Sequence, residues 1–337
     1  EFNLRSDGSS RFLSDHRWGY FPSGSLAWRI DQEAFMEDAE WLDNLKIRAS
    51  YGALGNNSVG NYSAISSYGA ANYILNNAVN TGWSITALAN ANLTWEKTKV
   101  TDIGFDFGVL NNRLYGTFDW FNKQTEGILI QLPSPLVHGA ASTPTSNAAQ
   151  VTNKGIELSL GWRDQINDFS YSINGNYMYV TNNVDKFKGK DYSLDGIYMT
   201  KEGEAIGSMY MYEADRIIQT DEDLAIVNNM IAKNPDAFSK LGATPGKGDI
   251  LFKDQDGDGI IDPNKDRKVV GSTIPKHTFG LTLSAAYKGI DFSIFMQGVA
   301  GAKGYLNEKY FSTSVQRGYQ ITKEIAENSW AEGMTNA

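Results

Sequence analysis

Apolar and polar residues alternate with period two along much of the chain. In residues 103–109, Ile103, Phe105, Phe107 and Val109 share one face, and Gly104, Asp106 and Gly108 share the other. Ile156, Leu158, Leu160 and Trp162 stand opposite Glu157, Ser159, Gly161 and Arg163. Phe169, Tyr171, Ile173, Tyr177 and Tyr179 stand opposite Ser170, Ser172, Asn174 and Asn176. The same holds for Phe279, Leu281, Leu283, Ala285 and Tyr287 against Gly280, Thr282 and Ser284, and for Leu45, Ile47, Ala49 and Tyr51 against Lys46, Arg48 and Ser50. Side chains alternate sides along a strand, so this pattern predicts two-faced β-strands.

Two architectures use such strands. A soluble sandwich turns the apolar faces inward, whereas a membrane barrel turns them outward to lipid around a wet interior. The barrel is favoured. The strands are long, roughly 9–13 residues, as a tilted membrane-crossing strand requires. Aromatics cluster at the ends of apolar faces (Trp120 and Phe121, Trp162, Tyr177 and Tyr179, Tyr287), as interfacial girdles do. The polar face carries Asp102, Asp106, Asp119 and Glu157, which suit a wet lumen.

Turn lengths are asymmetric. Short connections are predicted at 110–113 ("LNNR"), 164–168 ("DQIND") and 288–291 ("KGID"), against long excursions at 56–95, 124–150 and about 182–275. Short turns at one end and long loops at the other match the plan of outer-membrane barrels, and strand parity then puts the long excursions outside the cell.

Composition narrows the functional classes. The 337 residues carry a net charge of -9, which argues against a nucleic-acid partner. Cysteine is absent, which excludes disulfides and thiolate chemistry. No run of eighteen apolar residues supports a transmembrane helix, and no signal peptide is visible. His16, His138 and His277 are scattered, no Ser lies in a nucleophile elbow, and "GVAGAKG" lacks the P-loop pattern. No catalytic residues and no enzyme are expected.

One stretch carries metal-like chemistry. In "FKDQDGDGIIDPNKDRKVVG" (252–271), Asp254, Asp256 and Asp258 occupy the first, third and fifth positions of a calcium loop, Gly259 the sixth, and Ile260 the seventh through its carbonyl. The second half departs from that pattern, because Lys265 stands where a bidentate acid belongs and Asp266 comes one residue late. Asp254, Asp256, Asp258, Ile260, Asp262 and Asp266 are the candidate calcium ligands. The alternative is a turn-rich acidic loop without metal.

Several strings, taken in order, resemble the SusC/RagA family of TonB-dependent outer-membrane transporters of Bacteroidetes. They include "RWGYFPSGSLAWRI" (17–30), "LKIRASYGALGNNSVGNY" (45–62) and "LTWEKTKVTDIGFDFGVLNNRLYGTFDWFNKQTEGIL" (93–129). "NKGIELSLGWRD" (153–164), "EGEAIGSMYMYEADRIIQT" (202–220) and the acidic loop running on to 301 continue the series over nearly the whole chain.

The resemblance implies an all-β fold: a partial antiparallel transmembrane β-barrel, with about a dozen strands of a larger barrel over residues 1–337. The plug domain and closing strands are not matched. It implies TonB-dependent uptake of oligosaccharides or peptides, a SusD-like lipoprotein lid, the TonB–ExbB–ExbD complex, and contact with outer-membrane lipid. Substrate contacts are expected at Tyr68, Tyr73 and Trp83 in one long loop and at Tyr210 and Tyr212 in another. A secreted calcium-stabilised adhesion domain and a passive porin are the competing readings.

Overall fold

The computed structural model describes residues 1–131, 137, 142–188, 192–306 and 323–331. His138 lies outside the described residues. The alternating segments form strands, and the chain divides into two compact units.

The first unit is a nine-stranded antiparallel sheet. In chain order it contains β1 (Phe2–Gly8), β2 (Trp18–Arg29) and β3 (Leu42–Asn56). A separate hairpin, β4 (Ser67–Leu75) and β5 (Ala78–Ala87), follows. The sheet resumes with β6 (Glu96–Val109), β7 (Leu114–Gln131), β8 (Thr145–Ile166) and β9 (Phe169–Phe187).

The chain then passes through β10 (Tyr192–Asp195), β11 (Tyr198–Lys201), β12 (Ser208–Tyr212), β13 (Ala214–Ile217) and helix α1 (Asp221–Lys233). After β14 (Ile250–Phe252) and β15 (Arg267–Ser272) it rejoins the large sheet at β16 (His277–Tyr287) and β17 (Ile290–Ala300). The sheet order is β1-β2-β3-β6-β7-β8-β9-β16-β17. Apart from the loop insertions, neighbours in sequence are neighbours in the sheet, the meander of an up-and-down barrel wall.

The three short turns lie where the pattern predicts. Leu110, Asn111 and Asn112 all have positive φ between β6 and β7, Asn167 turns β8 into β9, and Lys288 with Gly289 turns β16 into β17. Register across the sheet keeps the apolar faces aligned: Phe107 faces Gly116, Gly116 faces Leu160, Leu160 faces Gly175, and Gly175 faces Leu281. This face is not packed against another layer; Leu26, Ile103, Leu160, Phe279 and Phe292 are all exposed. On β9 the band runs from Tyr171 to Tyr179, eight residue steps or about 27 Å of strand at ~3.4 Å per step, which suits a tilted strand crossing an apolar band about 25 Å tall. At its Tyr179 end, Tyr179 packs on His277 with ring centroids 5.1 Å apart, and the Tyr177 hydroxyl lies 2.8 Å from His277 Nδ1. His277 is thus a girdle residue.

The partial antiparallel barrel is as expected, and nine strands form its sheet among the described residues; other alternating segments pair in small sheets, because period two marks any half-exposed hairpin as well as a membrane strand. Two details differ from the expectation. The excursion placed at 124–150 is mostly strand: β7 and β8 pair out to Gln131–Thr145. The 22 residues of β8 far exceed the 9–11 that a membrane needs, so β7 and β8 continue past the apolar band. Finally, the excursion at 182–275 contains helix α1. Its start was legible as Thr220 with Asp223, a capping box in which the Thr220 hydroxyl accepts from the Asp223 N–H and the Asp223 carboxylate accepts from the Thr220 N–H.

The second unit is built chiefly from residues 194–199 and 207–273. It has its own core. Ile218, Val227, Ala237, Phe238, Leu251 and Ile261 are buried together, with Leu224, Met230 and Phe252 packed around them. No helix among the described residues is long and apolar enough to cross a membrane.

Candidate functional site

The polar face of the large sheet is an ionic surface. Arg48 on β3 reaches Asp106 on β6 at 2.8 Å and Asp119 on β7 at 2.9 Å. Lys46 lies 4.0 Å from Asp106. Arg48 and Asp119 are two strands apart, in a row in which both are paired with Gly104. A Cβ on Gly104 would fall 2.1 Å from Asp119 Oδ1, so glycine opens the path for the guanidinium to cross β6. The same device recurs where the Tyr115 hydroxyl donates to Asn174 Oδ1 at 2.6 Å, over Gly161. Sequence reasoning recognised this face as polar but missed Arg48 as its hub, because no local pattern links residues 58 and 71 positions apart.

The acidic loop is ordered chiefly by its own carboxylates. Asp254 accepts from the N–H groups of Gly257 (2.7 Å) and Gly259 (2.8 Å). Asp258 accepts from Ile260 N–H at 2.9 Å, and Asp262 accepts from Asn264 and Lys265 N–H at 2.7 and 3.0 Å. Aspartate side chains that bond the backbone two or three residues on make Asx turns, and Gly257 and Gly259 supply the left-handed φ of +74° and +79° such turns need. Asp266 closes the loop: its two oxygens accept from Gln255 N–H and Asp262 N–H, each at 2.7 Å, and its side chain is fully buried. Burial pushes its carboxyl pKa up. Ile261 is anchored in the core of the second unit.

The carboxylates that converge are Asp254, Asp256 and Asp266, with one oxygen from each within 4.8 Å of the others. These are the residues whose geometry could hold a cation. Asp258 and Asp262 do not join this cluster: Asp258 bonds the Ile260 N–H and the Lys265 ammonium, and Asp262 bonds the Asn264 and Lys265 N–H groups. The Lys265 ammonium sits 3.1 Å from Asp256 and also bonds Asp258, which lowers the Asp258 pKa and raises that of Lys265. The residue that breaks the calcium pattern thus supplies a positive charge at the loop itself.

The expected substrate aromatics fall into two groups. Tyr68, Tyr73 and Trp83 are exposed on the β4–β5 hairpin, but Tyr73 points away from the face that holds Tyr68 and Trp83. Tyr210 and Tyr212 belong to the second unit and are engaged there. The Tyr210 hydroxyl donates to the Asn264 carbonyl at 3.2 Å, and Tyr212 stacks on Phe252 at 4.9 Å with Arg267 over its ring. Next to Tyr212, Glu213 gathers Lys253 at 3.0 Å together with Lys268 and Gln255. These cations hold its carboxyl pKa down at about 2, Lys268 contributing most.

An antiparallel meander with an exposed apolar outer band, aromatic girdles and an ionic inner face is the wall of an outer-membrane β-barrel. Comparison with known proteins agrees. The family described as "TonB dependent receptor-like, beta-barrel" matches residues 1–323, and the chain belongs to it. It is 32% identical to the TonB-dependent receptor P3 of Formosa agariphila over 348 residues, covering 99% of this chain and 33% of that protein. It is 29% identical to the TonB-dependent receptor SusC of Bacteroides thetaiotaomicron, covering 88% of this chain and 29% of that protein. A solved structure of the RagAB peptide importer in its open-open state superposes with a TM-score of 0.75 at 25% identity, covering 99% of this chain and 35% of that chain. The chain spans about a third of the length of the relatives it matches. The resemblance to SusC/RagA-like receptors, the transmembrane β-barrel class and the outer-membrane location all stand.

Proposed function

We propose that this chain is the barrel portion of an active nutrient importer, which takes up oligosaccharides or peptides across the outer membrane. Energy comes from the TonB–ExbB–ExbD complex, and a SusD-like lipoprotein covers the outer mouth. The observation that carries this reading is the nine-stranded sheet with an ionic lumen face, found in a chain that matches SusC over 88% of its length and the RagAB importer over 99%. A passive porin would use the same wall. The relatives named as TonB-dependent receptors favour the energised importer. A secreted adhesion domain would need the apolar strand faces packed in a dry core, whereas they are exposed. No catalytic constellation is expected in this reading; the chain positions and passes its cargo.

The test is growth of a strain lacking the full-length protein on single glycans and on peptides as sole nutrient. Loss of growth on a defined oligosaccharide or peptide, restored by the intact gene only when TonB is functional, is the expected result. Restoration without TonB would identify a passive pore.

A further inference from the structure

The lipid-facing band ends abruptly at the long-loop end of the sheet. Its last apolar row there is Ile103, Trp120, Ile156 and Tyr179, paired across β6, β7, β8 and β9. Two residues further along, the same face carries Thr101, Asn122, Lys154 and Thr181. The next row is Lys99, Gln124, Thr152 and Asn183, and Lys97 opposite Glu126 follows. Over these rows β6, β7 and β8 turn three lysines and one glutamate outward, in a chain of net charge -9.

Lys99 Nζ bonds both Glu126 oxygens, at 2.9 and 2.8 Å. Lys97 and Lys154 are exposed and have no acid partner among the described residues. At the short-turn end, by contrast, Arg113 pairs with Asp164, and Lys288 lies 3.9 Å from Asp168.

The height of the lysines fits a lipid headgroup. A strand rises ~3.4 Å per residue and tilts by about 35–45°, which sets Lys154 about 5 Å and Lys99 about 10 Å beyond the last apolar row. The headgroup zone is about 5–8 Å deep on each side of a bilayer, and a lysine stem can lie along the surface to bring its ammonium into it. β6 and β8 are two strands apart, about 10 Å, a span that two flexible lysines can close on one headgroup.

We infer that Lys99 and Lys154 clamp the phosphate of a sugar-bearing lipid of the outer leaflet, with Thr101, Asn122, Gln124 and Thr152 facing its hydroxyls. Continuity decides the occupant. The strands immediately below these side chains are covered by lipid, so the group that meets them is a headgroup. Ammonium groups without acid partners select phosphate, and the amides and hydroxyls between them select sugar. The inference is independent of the cargo.

The test uses the full-length protein, extracted in detergent, stripped of lipid and titrated with lipid A. Bound lipid is counted by native mass spectrometry on the folded, heat-modifiable form. A lysine beside an anionic membrane surface is worth about fivefold in affinity. Lys154→Gln, which leaves no acid unpaired, should weaken binding about fivefold, and Lys99→Gln/Lys154→Gln at least tenfold. Lys123→Gln removes the same charge on the lumen face of β7 and should change nothing. Dephosphorylated lipid A should bind the unmodified protein at least tenfold more weakly than lipid A. Undiminished binding by the double variant, an equal loss in Lys123→Gln, or equal binding of the dephosphorylated lipid overturns the inference. So does full displacement of lipid A by millimolar inorganic phosphate, which would make the lysines a site for free anions.

Discussion

The large sheet and the second unit solve opposite burial problems with the same residue types. In the sheet, Leu26, Leu160, Phe279 and Phe292 stand exposed on the outer face. In the second unit, Ile218, Val227, Phe238 and Ile261 are removed from solvent against one another. The first arrangement is stable only where lipid takes the place of a second layer: between paired strands the backbone polar groups are satisfied within the sheet, and side chains meet the surroundings. The second is an ordinary aqueous core, small and held by one helix and short strands. An exposed leucine is therefore an error in one region and a requirement in the other.

The contrast can be broken from either side. The largest effect is expected from Phe238→Ala, which empties the centre of the small core at a cost of about 3–5 kcal/mol. Limited proteolysis of the membrane-embedded protein should cut within 207–273 while the heat-modifiable barrel persists. Loss of the barrel as well would show that the two regions fold as one.

Next is Leu160→Arg on the lipid face, which costs about 2–4 kcal/mol near the bilayer midplane and should reduce the folded barrel in outer-membrane fractions. Ser159→Arg, one residue away on the lumen face, should assemble normally. Equal defects would show that Leu160 does not face lipid.

A smaller effect is expected within the acidic loop. Asp266→Ala leaves the part-buried Gln255 and Asp262 N–H groups without their acceptor, about 1–3 kcal/mol for the two together because water reaches the loop, and should raise protease sensitivity there. Asp256→Ala, whose carboxylate is outward and shared with Lys265, should change protease sensitivity little.

The mildest effect concerns acid. Glu213 is depressed to about 2 by Lys268 and Lys253. A carboxylate with a lowered folded pKa contributes stability that is fully present above the unfolded glutamate range and is lost as pH falls toward 2. Glu213→Gln should flatten that part of the acid profile of the second unit, followed by intrinsic fluorescence at low and high salt. Asp266, shifted upward by burial, works in the opposite sense: protonation relieves it as pH falls through its raised pKa, so Asp266 does not reproduce the Glu213 slope.

Much of the wall was legible in the sequence. Ile103-Phe105-Phe107 and Ile156-Leu158-Leu160 announce both the strand and its lipid face, and Asn111–Asn112 announces the turn between β6 and β7. The acidic loop was legible as a turn, since Asp and Gly at alternate positions are what Asx turns require. What it does with its carboxylates was not, because Asp266 meets Gln255 and Asp262 only after the chain has folded back. Helix α1 escaped notice although Thr220 and Asp223 cap it; its apolar residues mean little until Phe238 and Ile261 are known to lie beneath them.

The period-two faces and the turn positions follow from residue order alone, because each depends on neighbours a few residues apart. Folding settles which strands join the nine-stranded sheet, that Arg48 bridges Asp106 and Asp119 across Gly104, and that Ile261 enters the core of the second unit rather than a membrane face. Those outcomes depend on pairing between distant segments. Alternation fixes which side a residue faces, not what lies on that side.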